Sequence, residues 1–114
     1  MDPEGRHRRA MIFVGESDRL GHHPLVTEIV QRAHAGGLAG VTVLRGVEGY
    51  GASNHVHTTR ILSLSADLPM VVVIVDSAER LDPFLEEVST IVHEGLITVE
   101  DVTVLHYVGR GPST

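Results

Sequence analysis

The sequence predicts a single α+β domain of the ferredoxin-like class, with an antiparallel four-stranded sheet and two helices on one face. Two observations support this prediction. The apolar segments follow the order β-α-β-β-α-β, which is the order of the split βαβ motif. The chain has 114 residues, enough for one domain and not for two. A long polar connection, residues 46–69, separates the second strand from the third.

The first half of this pattern contains two short strands and one helix. Residues 10–14 form an apolar run that predicts the first strand. Pro24 suits a first helical turn, and residues 36–37, both Gly, end the helix. The apolar residues between them fall at helical spacing: Leu25, Val26, Ile29, Val30 and Ala33. Residues 41–44 are rich in β-branched side chains and predict the second strand.

The second half opens with the strongest strand signal, six consecutive apolar residues at 70–75. Ser77 is an N-cap residue type, and Gly95 is expected to end the helix that follows. One face of that helix is apolar: Leu81, Phe84, Leu85, Val88, Ile91 and Val92. Pro83 predicts an irregular first turn or two, because proline is tolerated only near a helix start. Residues 102–107 are expected to form the last strand.

The two ends of the chain are polar. Residues 1–9 and 109–114 are expected to be disordered tails around a domain at residues 10–108. No apolar segment follows the charged N-terminus, and no apolar run approaches the ~20 residues of a membrane span. The sequence therefore predicts a soluble cytoplasmic protein.

The strands at residues 11–14 and 70–75 are apolar at every position. A sheet with helices on one face normally alternates, because its other face meets water. Two helices cannot cover both faces, so we expect an oligomer that packs sheet against sheet. The alternative is a locally apolar surface.

The composition excludes several kinds of chemistry. The chain has no Cys and no Lys, and its nine basic residues are all Arg. Thiol nucleophiles, thiolate-bound zinc, Schiff-base catalysis and a Walker-type phosphate loop are therefore excluded. The net charge of −6 argues against a nucleic-acid partner.

The long connection between the second and third strands is the candidate binding segment, because long irregular loops in small domains are usually functional. Gly46, Gly49 and Gly51 allow a ligand to approach the backbone closely. Arg45 and Arg60 flank the segment and are suited to bidentate hydrogen bonds with phosphate. The alternative is a hairpin turn with solvated charges.

Two other chemistries have weaker support. His55 and His57 would point the same way in an extended chain and form a candidate metal pair, but neither Cys nor a clear carboxylate completes the set. Surface histidines are the alternative. Glu16, Asp18 and His57 could serve a small hydrolase or transferase, yet no set of nucleophile, base and orienting residue is recognisable. We therefore predict a protein that is not an enzyme.

Several consecutive motifs resemble one known family. They are residues 14–19 (VGESDR), 37–46 (GLAGVTVLRG), 48–52 (EGYGA), 56–58 (VHT) and 67–69 (DLP). In order and spacing they resemble domain of unknown function family 190, of the PII-like signalling superfamily, from about residue 10 to 108.

The resemblance implies a homotrimer with its sheets facing inward and a T-loop at about residues 47–69. It also implies an adenine nucleotide effector (AMP, ADP or a cyclic nucleotide) between subunits, and control of a partner such as a membrane transporter or channel. The positions carried over are Arg45, Gly46, Glu48, Gly49, Tyr50 and Gly51, with His57 and Arg60 on the returning side of the loop. Because the chain has no Lys, the anion must be held by Arg, by His or by backbone N–H groups. The alternative is a divalent-metal-binding trimer related to the cation-tolerance proteins.

Overall fold

A computed structural model describes residues 5–51 and 67–109. Its elements, in chain order, are β1 (His7–Gly15), β2 (Arg19–Leu20), β3 (His23–Pro24), α1 (Leu25–Ala35), β4 (Thr42–Arg45), β5 (Pro69–Ser77), α2 (Ala78–Ser89) and β6 (Leu96–Val102). Four of these strands form an antiparallel sheet in the order β4-β5-β1-β6, while β2 and β3 form a small hairpin. The arrangement confirms the predicted ferredoxin-like fold class.

The core lies between one face of the sheet and the two helices. Alternate residues of β1 and β5 point into it, and the buried side chains from the sheet are Ala10, Ile12, Val14, Val72 and Ile74. The buried side chains from the helices are Leu25, Ile29, Ala33, Leu81, Phe84, Leu85 and Val88. Burying each of the larger ones contributes roughly 1.5–3 kcal/mol, so this layer holds both helices against the sheet.

The first strand begins at His7, three residues before the apolar run that predicts it. Residues 7–9, which the sequence placed in the N-terminal tail, therefore belong to the strand. The pairing continues because charged partners are available on its neighbours. Arg8 lies between Asp76 and Asp101 in the register and donates to Asp82 of α2 at 2.6 Å. Residues 7–9 are His, Arg and Arg, so a prediction based on apolar side chains does not include them in the strand.

The second helix begins regularly at Ala78, so the expected irregular first turn is wrong. The Ser77 hydroxyl accepts a hydrogen bond from the Arg80 N–H at 3.3 Å and caps the helix. Pro83 lies inside the helix, where it removes one N–H from the hydrogen-bond ladder. The cap and the buried apolar face outweigh that loss.

The same helix ends at Ser89, six residues before the glycine expected to end it. The hydroxyls of Ser89 and Thr90 donate to the carbonyls of Glu86 and Glu87, each at 2.7 Å. Such bonds compete with the backbone ladder and favour a helix end. Ile91 still packs in the core, because it follows in the turn after the helix.

The prediction of the last strand at residues 102–107 is wrong: β6 spans Leu96–Val102. β6 pairs with β1 from Phe13 back to His7, and Val102 lies opposite the first residue of β1. Residues beyond Val102 have no β1 residue to pair with. Residues 103–109 lie outside the described helices and strands, although their composition resembles that of a strand.

The face of the sheet turned away from the helices is also apolar. The register aligns one row across all four strands: Leu44, Val71, Phe13 and Leu96. The next row is Thr42, Val73, Met11 and Thr98. We call these two rows the open face. Leu44 and Leu96 at its edges are 52% and 55% exposed. The sheet is therefore apolar on both faces, as the unbroken apolar strands predicted.

Candidate functional site

Three segments meet at one end of the sheet. β1 ends there at Gly15, β4 ends at Arg45, and β5 begins at Pro69. The register places Gly15 opposite Pro69 and Arg45 opposite Met70. The antiparallel pairing therefore brings the start of the long connection beside the segment that follows β1. We call this group of segments, residues 15–18, 45–51 and 67–69, the loop root.

An ion pair spans the loop root. The Arg45 Nε donates to Glu16 Oε2 at 2.7 Å, and Arg45 Nη2 donates to Glu16 Oε1 at 3.2 Å. Since β5 lies between β4 and β1 in the sheet, this bidentate pair bridges the start of β5. The side chains are 53% and 38% exposed, so the guanidinium is fixed in orientation and still reachable from solvent.

Each member of the pair shifts the pKa of the other. The hydrogen bonds from Arg45 are the main cause that lowers the pKa of Glu16, while partial desolvation opposes them. The hydrogen bonds to Glu16 raise the pKa of Arg45. Both groups are therefore charged at neutral pH, and the loop root carries a fixed cation that is partly neutralised by its own carboxylate.

Backbone hydrogen bonds hold both members of the pair in place. The Glu16 N–H donates to the Leu68 carbonyl at 2.8 Å, and the Gly46 N–H donates to the Pro69 carbonyl at 2.7 Å. The Ser17 N–H donates to Asp67 Oδ1 at 2.8 Å. The loop root is thus a connected unit, so a change at Arg45 acts on the start of the long connection.

The carboxylate of Asp18 has a structural role in this turn. It accepts the Gly15 N–H at 2.9 Å, while the Asp18 carbonyl accepts the Leu25 N–H at the start of α1 at 2.8 Å. Glu16 is engaged by Arg45. The two carboxylates considered for acid–base chemistry are therefore each held by a partner within the fold.

Gly46 and Gly49 pack closely against Pro69. A Cβ at Gly46 would lie 2.8 Å from the Pro69 Cγ, which is too close for any other residue without movement. Gly49 has a φ of +146° and would place a Cβ 3.3 Å from the same atom. These glycines therefore keep the backbone of the connection close to β5.

The other predicted residues in the described part lie along the start of the connection. Glu48 and Gly51 are exposed, and Tyr50 is 70% exposed. Six of the predicted residues lie within seven consecutive positions of the sequence, and their role in binding stays a prediction: Arg45, Gly46, Glu48, Gly49, Tyr50 and Gly51. His57 and Arg60, and His55 of the candidate metal pair, lie outside the described residues.

Two clefts on the described part of the chain have other linings. One, of about 190 Å³, lies between the start of β1 and the end of β6. The other, of about 180 Å³, is lined by Asp18, Arg19, Leu25, Ile91, His93 and Glu94. Arg45 lines neither of these two clefts.

Sequence reasoning missed the partner of Arg45. The sequence places Glu16 among the candidate residues of a hydrolase or transferase, whereas the structure pairs it with Arg45 of its own chain. The two residues come together only through the order of β1, β5 and β4 in the sheet. The proximity of Glu16 and Arg45 could therefore have been inferred from the predicted strand order.

Within residues 5–51 and 67–109 no grouping of three or more His, Asp or Glu could hold a metal ion. In the same ranges no helix is long and apolar enough to cross a membrane.

Solved structures with the same architecture include PII-like proteins. The structure of CPII from Thiomonas intermedia K12 bound to ADP, AMP and acetate has a TM-score of 0.61 and 15% identity, covering 90% of this chain and 91% of that one. GlnK of B. subtilis has a TM-score of 0.54 and 14% identity, covering 87% of each chain. The fold is therefore the PII-like form of the ferredoxin-like class.

Sequence comparison defines the family. The chain belongs to the DUF190 family, described as an uncharacterized ACR, whose model matches residues 7–104. A UPF0166 protein of Aquifex aeolicus (strain VF5) is 38% identical over 95 residues, which cover 83% of this chain and 90% of that protein. A UPF0166 protein of Methanocaldococcus jannaschii is 29% identical over 94 residues, covering 82% and 86%. These matches confirm the resemblance seen in the sequence motifs.

Proposed function

We propose that this protein is a non-enzymatic, trimeric PII-like regulator that binds an adenine nucleotide at clefts between its subunits. The nucleotide orders the T-loop, residues 47–69, which binds or releases a partner protein such as a membrane transporter or channel. The observation that carries the proposal is Arg45, an oriented and half-exposed guanidinium at the root of that loop.

The chemistry of the loop root suits a phosphorylated ligand. A guanidinium binds phosphate through two parallel N–H···O bonds, which fix the ligand's orientation as well as its charge. The backbone at Gly49 and Gly51 carries no Cβ that would keep a ligand away. The exposed ring of Tyr50 offers a surface on which a base can stack. Similarity to CPII, which is bound to ADP and AMP, supports an adenine nucleotide in this role.

The open face supports the trimer. Leaving its apolar side chains in water costs roughly 25 cal/mol for each Å² that association would bury. Packing the open faces of three copies against one another removes that surface from water and forms a closed symmetric assembly. Neighbouring subunits would then form the clefts beside the loop root.

Coupling between the ligand and the T-loop follows from the bonding of the loop root. Arg45 is followed directly by Gly46, whose N–H is fixed to Pro69 at the other end of the loop. A ligand that binds one arrangement of this root better than another shifts the loop toward that arrangement. A partner that contacts the loop then detects the nucleotide.

A calorimetric titration with AMP, ADP, ATP and cyclic AMP tests nucleotide binding. We expect at least one to bind, and we expect Arg45→Ala to weaken that binding by about 10- to 100-fold, because a charge-assisted hydrogen bond contributes about 1.5–3 kcal/mol. Arg32→Ala is the matched control, since Arg32 is an ion-paired arginine on α1. If no nucleotide binds the intact trimer at about millimolar concentration, or if Arg45→Ala binds equally well, the proposal is wrong.

A further inference from the structure

Glu16 holds one of the two sides through which Arg45 could bind a phosphate. Glu16 takes both Nε and Nη2, which together form one bidentate side of the guanidinium. A carboxylate bound in this way occupies the same geometry that a phosphate requires. A ligand that uses this side of Arg45 must therefore replace Glu16 and cannot simply add to the pair.

We propose that Glu16 competes with the effector for Arg45, an inference that rests on the proposed function. The Glu16 carboxylate occupies the Nε and Nη2 side of the guanidinium until a phosphate displaces it. The displacement also breaks the link between the end of β1 and the root of the T-loop. Ligand binding and release of this link are therefore one event.

The exposure of the pair makes such an exchange feasible. An exposed ion pair contributes little to stability, because water replaces each partner when the pair opens. The Glu16 side chain is 38% exposed and can turn into solvent, while its backbone stays fixed to Leu68. A terminal phosphate carries about −1.5 to −2 charges at pH 7 against −1 for the carboxylate, so the guanidinium gains by the exchange.

The exchange predicts how the apparent affinity depends on Glu16. For every ligand that needs the occupied side of Arg45, the pair raises the apparent dissociation constant by the same factor. That factor is the reciprocal of the fraction of molecules in which the pair is open. Removing the carboxylate removes that factor. The factor for an exposed pair is about 2- to 5-fold in dissociation constant. A ligand without phosphate has nothing to exchange, and its affinity is independent of Glu16.

The test is a titration of Glu16→Gln with AMP and with adenosine. We expect AMP to bind the variant about 2- to 5-fold more tightly than the wild type, with no gain for adenosine. Glu87→Gln is the matched control, because Glu87 is also an exposed carboxylate paired with an arginine, at 3.1 Å from Arg32, but lies on α2. It removes the same charge and should leave AMP affinity unchanged.

Each other outcome overturns the inference. Equal AMP binding to Glu16→Gln would mean that the phosphate does not use the side of Arg45 that Glu16 occupies. Weaker binding would mean that the carboxylate positions Arg45 for the ligand. An equal gain for adenosine, or for AMP with Glu87→Gln, would mean a general effect of charge or structure. Failure of the proposed function can be distinguished from failure of this inference. If the proposed function is wrong, the wild type binds no nucleotide, or Arg45→Ala binds nucleotide as tightly as the wild type does.

Discussion

Among individual residues, Asp76 shows how a charged side chain can serve the fold. Its carboxylate is completely buried and accepts the Ala39 N–H at 2.8 Å and the Ser77 N–H at 2.7 Å. Arg80 secures the same loop by donating to the Gly37 carbonyl at 2.7 Å. These bonds attach the loop between α1 and β4 to the end of β5. Asp76 is therefore a structural residue of the fold.

We expect Asp76→Ala to lower the free energy of unfolding by about 2–4 kcal/mol, because two part-buried N–H groups lose their carboxylate acceptor. Urea denaturation followed by circular dichroism measures the change. Glu86→Ala, at an exposed position of α2, is the control and should stay within about 0.5 kcal/mol of the wild type. Equal stability of the two variants would show that Asp76 does not hold the loop.

The candidate site illustrates what sequence can predict of single residues. Arg45 and the glycines after it are candidates because of their residue types and spacing, and their role in binding stays a prediction. Glu16 is 29 positions from Arg45, and its pairing depends on the strand order and on the length of β1. A candidate cation can be identified from the sequence, but its ion-pair partner cannot, because the register of the sheet determines which carboxylate lies beside it.

Among the elements, the turn from α2 into β6 depends on Gly95. This glycine has a φ of +157°, and a Cβ would lie 2.6 Å from the Phe13 carbonyl oxygen and 2.9 Å from Val92 Cγ1. The backbone of the turn therefore lies directly against β1. Sequence reasoning assigned Gly95 to the end of the helix, whereas its position is fixed by its contact with the neighbouring strand.

Gly95→Ala is expected to lower the free energy of unfolding by about 1–3 kcal/mol, because the new methyl group cannot fit without moving β1 or β6. Gly40→Ala is the matched control, since a Cβ there meets nothing within 4 Å. Thermal denaturation of both variants gives the comparison. Similar melting temperatures for the two alanine variants would contradict this account of the turn.

Element order was predictable here and element ends were not. The apolar runs at residues 10–14 and 70–75 lie within β1 and β5, so the fold class followed from their order. The N-terminal end of β1 is charged, and the end of α2 is set by hydroxyl groups. β6 was misplaced because only Ile97 and Val99 of its residues pack against the core, which leaves a weak apolar signal.

At the scale of the whole molecule, the proposed trimer accounts for both the apolar open face and the exposed loop root. A single chain leaves the open face in water and the Arg45 side chain 53% exposed. In the proposed trimer, with its sheets facing inward, the open face would be buried and a cleft would form beside the loop root. The assembly is therefore the central claim, because nucleotide binding between subunits and control of the T-loop both depend on it.

Native mass spectrometry of the protein with and without AMP tests this claim most directly. We expect a trimer that binds one nucleotide per subunit. We also expect Val73→Asp, which places a charge in the middle of the open face, to give a folded monomer with weakened AMP binding. A wild-type protein that stays monomeric at micromolar concentration, or a monomeric Val73→Asp variant that binds AMP as tightly as the wild type, would contradict the account.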